Sequence, residues 1–198
     1  NFLQLLGLLY FLGVLYFVLN ILFQLIHVDQ LKRDADYSKS NYCNQLLNID
    51  TNVNVKIGLS AHINTPITFG WLKPIILLPV SISTQLNVKE LELILLHELA
   101  HILRNDYVFN LIISIAGICL FFNPFILLLN SEMSLQREIA CDNRVISYQI
   151  NKVDYMNALL KLAMQSRQQT ILSVSLGVLN SKNQLLQRIK HINQIIFE

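Results

Sequence analysis

The chain is short of charge. Of its 198 residues only 14% are Asp, Glu, Lys or Arg, while 53% are hydrophobic. A soluble domain carries about a quarter charged residues, so this balance points to a membrane. A net charge of +2 is too small to draw in nucleic acid, and no basic run interleaved with aromatics is present. Direct nucleic-acid binding is therefore not expected. Cysteine is scarce too: Cys43, Cys119 and Cys141 stand far apart with no CxxC pair. That argues against a thiolate metal site and a disulfide framework. Cys119 and Cys141 read as small buried hydrophobes. No basic leader with a small-residue cleavage pattern precedes the first polar segment. The chain opens at Asn1 inside an apolar run and reads as an excerpt of a longer protein.

That run, residues 1–28, has no charge and is long enough to span a hydrocarbon core of about 30 Å as a helix. It is expected to be a transmembrane helix, with His27 at its interfacial end. Residues 29–52 are polar and turn-rich and read as a connector with room for one short helix. "VNVKIGLSAHI" and "ITFGWLKPIILLPV" are rich in Val and Ile and punctuated by Gly and Pro, which predicts two or three short strands. Pro74 and Pro79 suit edge strands or strand ends. His62 lies here and reads as structural.

"NVKELELILLHELAHILRNDY" changes the period. Asn87 with Glu90 three residues on is a capping-box start. Val88, Leu91, Leu95, Leu99 and Ile102 recur at helical spacing. On that helix His97 and His101 stack on one face and can offer two imidazole nitrogens to one zinc ion. Glu98 is rotated by about a hundred degrees, so it can act as general base on a water at the metal without being a ligand. Zinc in a catalytic site takes a third protein ligand. The HxxGxxH extension that would supply it is absent: Arg104 and Tyr107 stand in those places. A downstream carboxylate is the next candidate. "QREIACD" offers Glu138, with Asp142 four residues later on the same helical face. Spacing alone leaves Glu138 between a ligand and an ordinary solvated charge. Asp142 and Asp106 are candidates to accept from the ligand histidines. Arg137, Arg144 and Tyr107 are candidates to stabilise the oxyanion.

"TFGWLKPIILLP", "LLHELAHILRNDY", "FFNPF" and "REIACD", in that order, resemble the BlaR/MecR family of integral-membrane zinc metallopeptidases. The match covers about residues 60–150. The resemblance implies Glu138 as third ligand, a metal site on the cytoplasmic side of the cytoplasmic membrane, and proteolysis used in signalling. Sensors of that family carry an S-x-x-K nucleophile in a penicillin-binding domain. No S-x-x-K occurs here, so a β-lactam-sensing role is not inferred.

If Glu138 meets His101 at one ion, the uncharged block 107–129 between them cannot be a single crossing, which would carry Glu138 about 30 Å away. A membrane-inserted helical hairpin is expected, turning near Asn123-Pro124 or Gly117, or bending near Arg104-Asn105. Lys and Arg do not orient the chain, with seven in 29–107 and eight after 130. "DYMNALLKLAMQ" and "NQLLQRIKHINQIIF" read as two amphipathic helices, with His191 a surface or packing residue.

The expectation is an α+β, mainly helical, gluzincin-like metallopeptidase: a transmembrane helix over 1–28 and a zinc domain over 29–198, with a small β-element before the HExxH helix. Its partners are the lipid bilayer and a protein or peptide substrate, such as a transcriptional repressor, and the chain is a candidate homo-oligomer. Two other functions fit the same residues: a housekeeping quality-control protease, and a non-catalytic transducer that keeps zinc for structure.

Overall fold

A computed structural model describes residues 2–38, 54–169 and 176–195. It is mainly helical, with one small sheet. Helix α1 (Phe2–Asp34) runs 33 residues, about 50 Å at the usual rise. Most of its side chains are exposed as far as Ile26. The helix does not stop at 28. It continues through Asp29, Lys32 and Arg33, because Leu31 is buried against the sheet and Arg33 pairs with Asp29 one turn back. The expected connector is thus helical up to Asp34. Cys43 lies outside the described residues, as does the stretch 39–53.

Three strands follow: β1 (Lys56–Ser60), β2 (Ile67–Phe69) and β3 (Ile75–Pro79). The order is β1-β3-β2, with β1 parallel and β2 antiparallel to the central β3. Pro79 ends β3 and Pro74 precedes it, so neither removes a donor from mid-strand. Gly70, at φ +94°, turns β2 back towards β3; a Cβ there would meet the Lys73 carbonyl oxygen at 2.7 Å. Alternation sends Ile76 and Leu78 into the main core and Leu77 to the opposite face, with Leu31 and Phe69.

After a short helix α2 (Ile82–Gln85), α3 (Val88–Leu103) starts at the expected capping box. The Asn87 side chain accepts from the Glu90 amide, and Glu90 accepts from the Asn87 amide. Helix α3 is the spine of the core. Leu95, Leu99 and Ala100 pack with Ile76 and Leu78, and also with Cys141 and Val145 of α5 (Pro124–Ser147), Tyr155 and Leu159 of α6 (Lys152–Gln169), and Ile192 of α7 (Leu176–Gln194).

Between α3 and α5 runs α4 (Asp106–Cys119). Asn105, at φ 57°, breaks the chain there, and α3 and α4 meet at 60°. Leu120–Asn123 then turns it. Pro124 takes the first position of α5, where its missing N–H costs nothing, and the Asn123 side chain accepts from the Phe125 amide. Gly117 lies inside α4, not at a turn, and Cys119 is exposed rather than buried. That cysteine sits on the outer surface of α4, next to the turn. The turn packs on α1: Phe121 stacks on Tyr10 at 5.7 Å between centroids, and the Tyr10 hydroxyl donates to the Cys119 carbonyl. Among the described residues α1 is the one helix long and apolar enough to cross a membrane unbent.

Candidate metal centre

Helix α3 places His97 and His101 one above the other, as their spacing requires, with Nε2 atoms 3.2 Å apart. Helix α5 returns after the α4 excursion and brings Glu138 to the same point. Its carboxylate oxygens lie 3.3 Å from His97 Nε2 and 3.7 Å from His101 Nε2. The three ligand atoms fall within 4.8 Å of one another. Two imidazole nitrogens and a carboxylate oxygen suit zinc, and each imidazole has its other nitrogen engaged. His101 Nδ1–H donates to Asp106 Oδ2 at 2.8 Å. His97 Nδ1 lies 2.9 Å from the Tyr155 hydroxyl, which itself donates to Asp142 Oδ1 at 2.6 Å. This pattern fixes both Nε2 atoms toward the shared point. The residues fit a metal ion.

Asp142 therefore reaches His97 chiefly through Tyr155; its own oxygen is 3.4 Å from Nδ1. Asp142 is fully buried. Arg188 of α7 matches it with two hydrogen bonds of 2.8 Å, and a third nitrogen of the same guanidinium lies 2.7 Å from Glu138. Tyr155 and Arg188 do not stand out in the sequence as site residues. Both sit in amphipathic helices whose periodicity accounts for them without a site.

The charges follow from this packing. Burial opposes a proton on His97, yet Asp142 and Glu138 outweigh it and raise its pKa to about 9. Burial also opposes charge on Glu138, but His97 and Arg188 hold it down at about 2. Asp142 is depressed further: its burial is overcome by Arg188 and then His97. The metal-free centre thus keeps two carboxylates ionised, balanced by Arg188 and by a proton on His97 that a metal ion would displace. Cys141 lies 3.3 Å from His101 Nδ1 and 3.4 Å from Asp106. Burial, then Asp106, push its thiol well above the ordinary range, so it remains S–H and donates to Asp106.

Glu98 is buried and accepts a short hydrogen bond from the Thr68 hydroxyl of β2. Glu98 and Thr68 share with His97, His101 and Glu138 a cleft of about 670 Å³. One wall is β2, whose outer edge pairs with no strand among the described residues. Leu159 and Leu162 line an apolar part, and Tyr107, Asn110 and Arg137 a polar one. Arg137 is bonded to Asn110 at 3.0 Å. Arg144 is exposed and does not line the cleft, which removes it as an oxyanion candidate: it stands two turns beyond Arg137 along α5, past the cleft. His27 is exposed, and His62 and His191 are not among the residues that converge.

Two imidazoles and a carboxylate around one point, with a further glutamate on the same cleft, have the layout of a metallopeptidase centre. Residues 1–192 match the family described as BlaR1 peptidase M56, and the chain belongs to that family. It is 28% identical over 141 residues to the methicillin resistance mecR1 protein of Staphylococcus aureus, covering 70% of this chain and 24% of that protein. It is 34% identical over 124 residues to the regulatory protein BlaR1 of Bacillus licheniformis, with 61% and 20% covered. Against the regulatory protein BlaR1 of Staphylococcus aureus the identity is 30% over 175 residues, with 83% and 29% covered. The chain spans less than a third of the length of these curated relatives. The family is one of peptidases, as its description says.

Proposed function

We propose that the chain is the peptidase part of a membrane-bound zinc endopeptidase of gluzincin-like design. Its reaction hydrolyses a peptide bond of a regulatory protein, such as a transcriptional repressor, or of the enzyme itself, in signal transduction. The observation that carries this reading is the convergence of His97, His101 and Glu138 on the cleft that also holds Glu98.

Zinc would be held by Nε2 of His97 and His101 and the Glu138 carboxylate, and bound there it supplies Lewis-acid polarisation of the scissile carbonyl. Glu98 takes the proton of the attacking water and passes it to the leaving amine. The Thr68 hydroxyl orients the Glu98 carboxylate from β2. The free edge of β2 receives the substrate as an extended strand through backbone hydrogen bonds. Tyr107 and Arg137, both on the cleft, remain the candidates for the oxyanion. Arg188 is committed to Glu138 and Asp142.

Helix α1 spans the membrane in this reading. The block 107–129, comprising most of α4, the turn and the start of α5, inserts beside it as a hairpin, so the chain is multi-pass. Residues 29–198 form the metallopeptidase domain. Asp106 and Glu138 serve one centre, so both limbs must emerge on the same side, which is the cytoplasmic face of the cytoplasmic membrane.

The test is elemental analysis of detergent-purified protein together with a peptide-cleavage assay. Wild type is expected to carry one zinc per chain; Glu138→Ala loses most of it, whereas Glu98→Gln keeps zinc but loses cleavage. Full zinc retention by Glu138→Ala would overturn the ligand set. Undiminished cleavage by Glu98→Gln would overturn the base.

A further inference from the structure

The turn between β2 and β3 exposes two large apolar side chains side by side. Trp71 is 65% exposed and Leu72 is 86% exposed, with Lys73 next. Gly70 holds this turn in a positive-φ conformation that a side chain would obstruct, so the exposure belongs to a defined turn.

Two contacts set the height of this turn relative to α1. Phe69, two residues before Trp71, packs on Leu31, and Lys32 Nζ lies 4.9 Å above its ring centroid. Leu31 and Lys32 lie just past Asp29, the first charge of α1, the place at which a spanning helix leaves the hydrocarbon. Trp71 also borders the cleft that Tyr107, Val108 and Asn110 of the first turns of α4 line, where the second uncharged block begins. With α1 and the second uncharged block entering the bilayer as in the reading above, Trp71 stands at the level of the membrane–water boundary. Tryptophan, with an apolar ring and one N–H donor, favours that level.

We propose that the Gly70–Lys73 turn is an interfacial anchor. Trp71 and Leu72 rest in the headgroup–acyl boundary of the bilayer that holds α1, and this seats the lip of the cleft on the membrane surface. The proposal rests on the membrane part of the reading above and deepens it: the peptide segments that reach Glu98 are those lying along the membrane surface.

Trp71 is the only tryptophan of the chain, so its own fluorescence reports the answer. The protein is reconstituted in phosphatidylcholine vesicles whose acyl chains carry bromine at a shallow or a deep position, and acrylamide is the aqueous quencher. The expected result is a blue-shifted emission, strong quenching by the shallow bromolipid, weaker quenching by the deep one, and several-fold protection from acrylamide relative to free tryptophan. Moving the probe with the pair Trp71→Phe and Leu72→Trp should give the same pattern. Carbonate extraction of the vesicles separates the two levels of the claim. Protein that stays with the lipid while Trp71 is quenched by acrylamide alone overturns the anchor and leaves the membrane reading standing. Trp71 shielded from both quenchers identifies a protein partner on the turn and also overturns it. Protein released by carbonate overturns the anchor and the membrane reading together.

Discussion

Arg188→Met is the substitution that most directly probes how the centre is held together. Methionine keeps much of the volume of the arginine and removes its charge. Three contacts go: the two bonds of 2.8 Å to Asp142 and the contact of 2.7 Å to Glu138. Asp142 cannot turn to water, because it is fully buried, and its remaining donor is the Tyr155 hydroxyl. Removing one partner of such a pair leaves an uncompensated buried charge, a loss of about 3–5 kcal/mol. That is a large share of the roughly 5–15 kcal/mol by which a domain is stable. Arg188→Lys keeps the charge but not the planar fork and should cost about half as much. The double variant Arg188→Met with Asp142→Asn removes both charges and should cost less than the sum of the two singles. Unfolding is followed by helical signal in detergent, with zinc present and after chelation. Arg188→Met within about 1 kcal/mol of wild type in both conditions would refute the assignment of Arg188 as the counter-charge of a buried carboxylate.

Three further outcomes are expected. Tyr155→Phe removes the hydroxyl that links His97 Nδ1 to Asp142; by the usual effect of a lost supporting partner, zinc affinity should fall about 10- to 100-fold with the helical content unchanged, and competition with a chromophoric chelator measures it. A proton competes with the metal for His97, whose pKa in the metal-free protein is about 9 instead of 6.5. Below that pKa zinc affinity should fall about tenfold per pH unit. The His97 contribution to the stability of the chelated protein runs the other way: full below 6.5, lost as pH rises through about 9. An affinity flat from pH 6 to 9 would contradict this. At Gly13 a Cβ would meet Phe121 Cζ at 2.5 Å, so Gly13→Leu overpacks the junction of α1 and the α4–α5 turn and should cost about 1–3 kcal/mol in thermal unfolding. Adding Phe121→Ala should restore part of that loss.

How much of this was legible in the sequence depends on the range of each interaction. The capping box of α3, the stacking of His97 over His101 and the proline start of α5 are contacts within a turn or two of helix, and residue spacing specifies them. Strand identity was readable from Val and Ile content, but not strand order. The sequence does not tell that β2 flanks β3 on the side opposite β1, and this order is what leaves an open edge beside Glu98. The uncharged run ends at residue 28, yet α1 runs on to Asp34. Leu31, buried against Phe69 and Leu77, carries the helix past its first charges. Cys119 was expected inside on residue type alone, although what decides is the outward surface of α4 on which it stands.

Arg188 and Tyr155 mark the other limit. Arg188 lies 46 residues beyond Asp142 and Tyr155 lies 58 beyond His97, each in a helix whose pattern asks for nothing but an amphipathic surface. Yet the demand that Arg188 meets can be worked out from the motif itself. Glu138, Asp142 and Asp106 bring three negative charges near one divalent ion, and two of them, Asp142 and Asp106, are buried. Arg104 lies within 3.4 Å of Asp106; on the helices that carry the motif Asp142 has only His97 beside it, and a metal ion on that imidazole takes its proton away. A carboxylate so enclosed would take up a proton unless a positive charge reached it, and a protonated Asp142 would hold the Tyr155–His97 link less firmly. The motif thus requires a basic residue from elsewhere in the chain and cannot say which one. The choice among the candidates after residue 142 falls to the docking of α7, where Ile192, one turn beyond Arg188, is fully buried in the core and fixes the face on which the guanidinium enters.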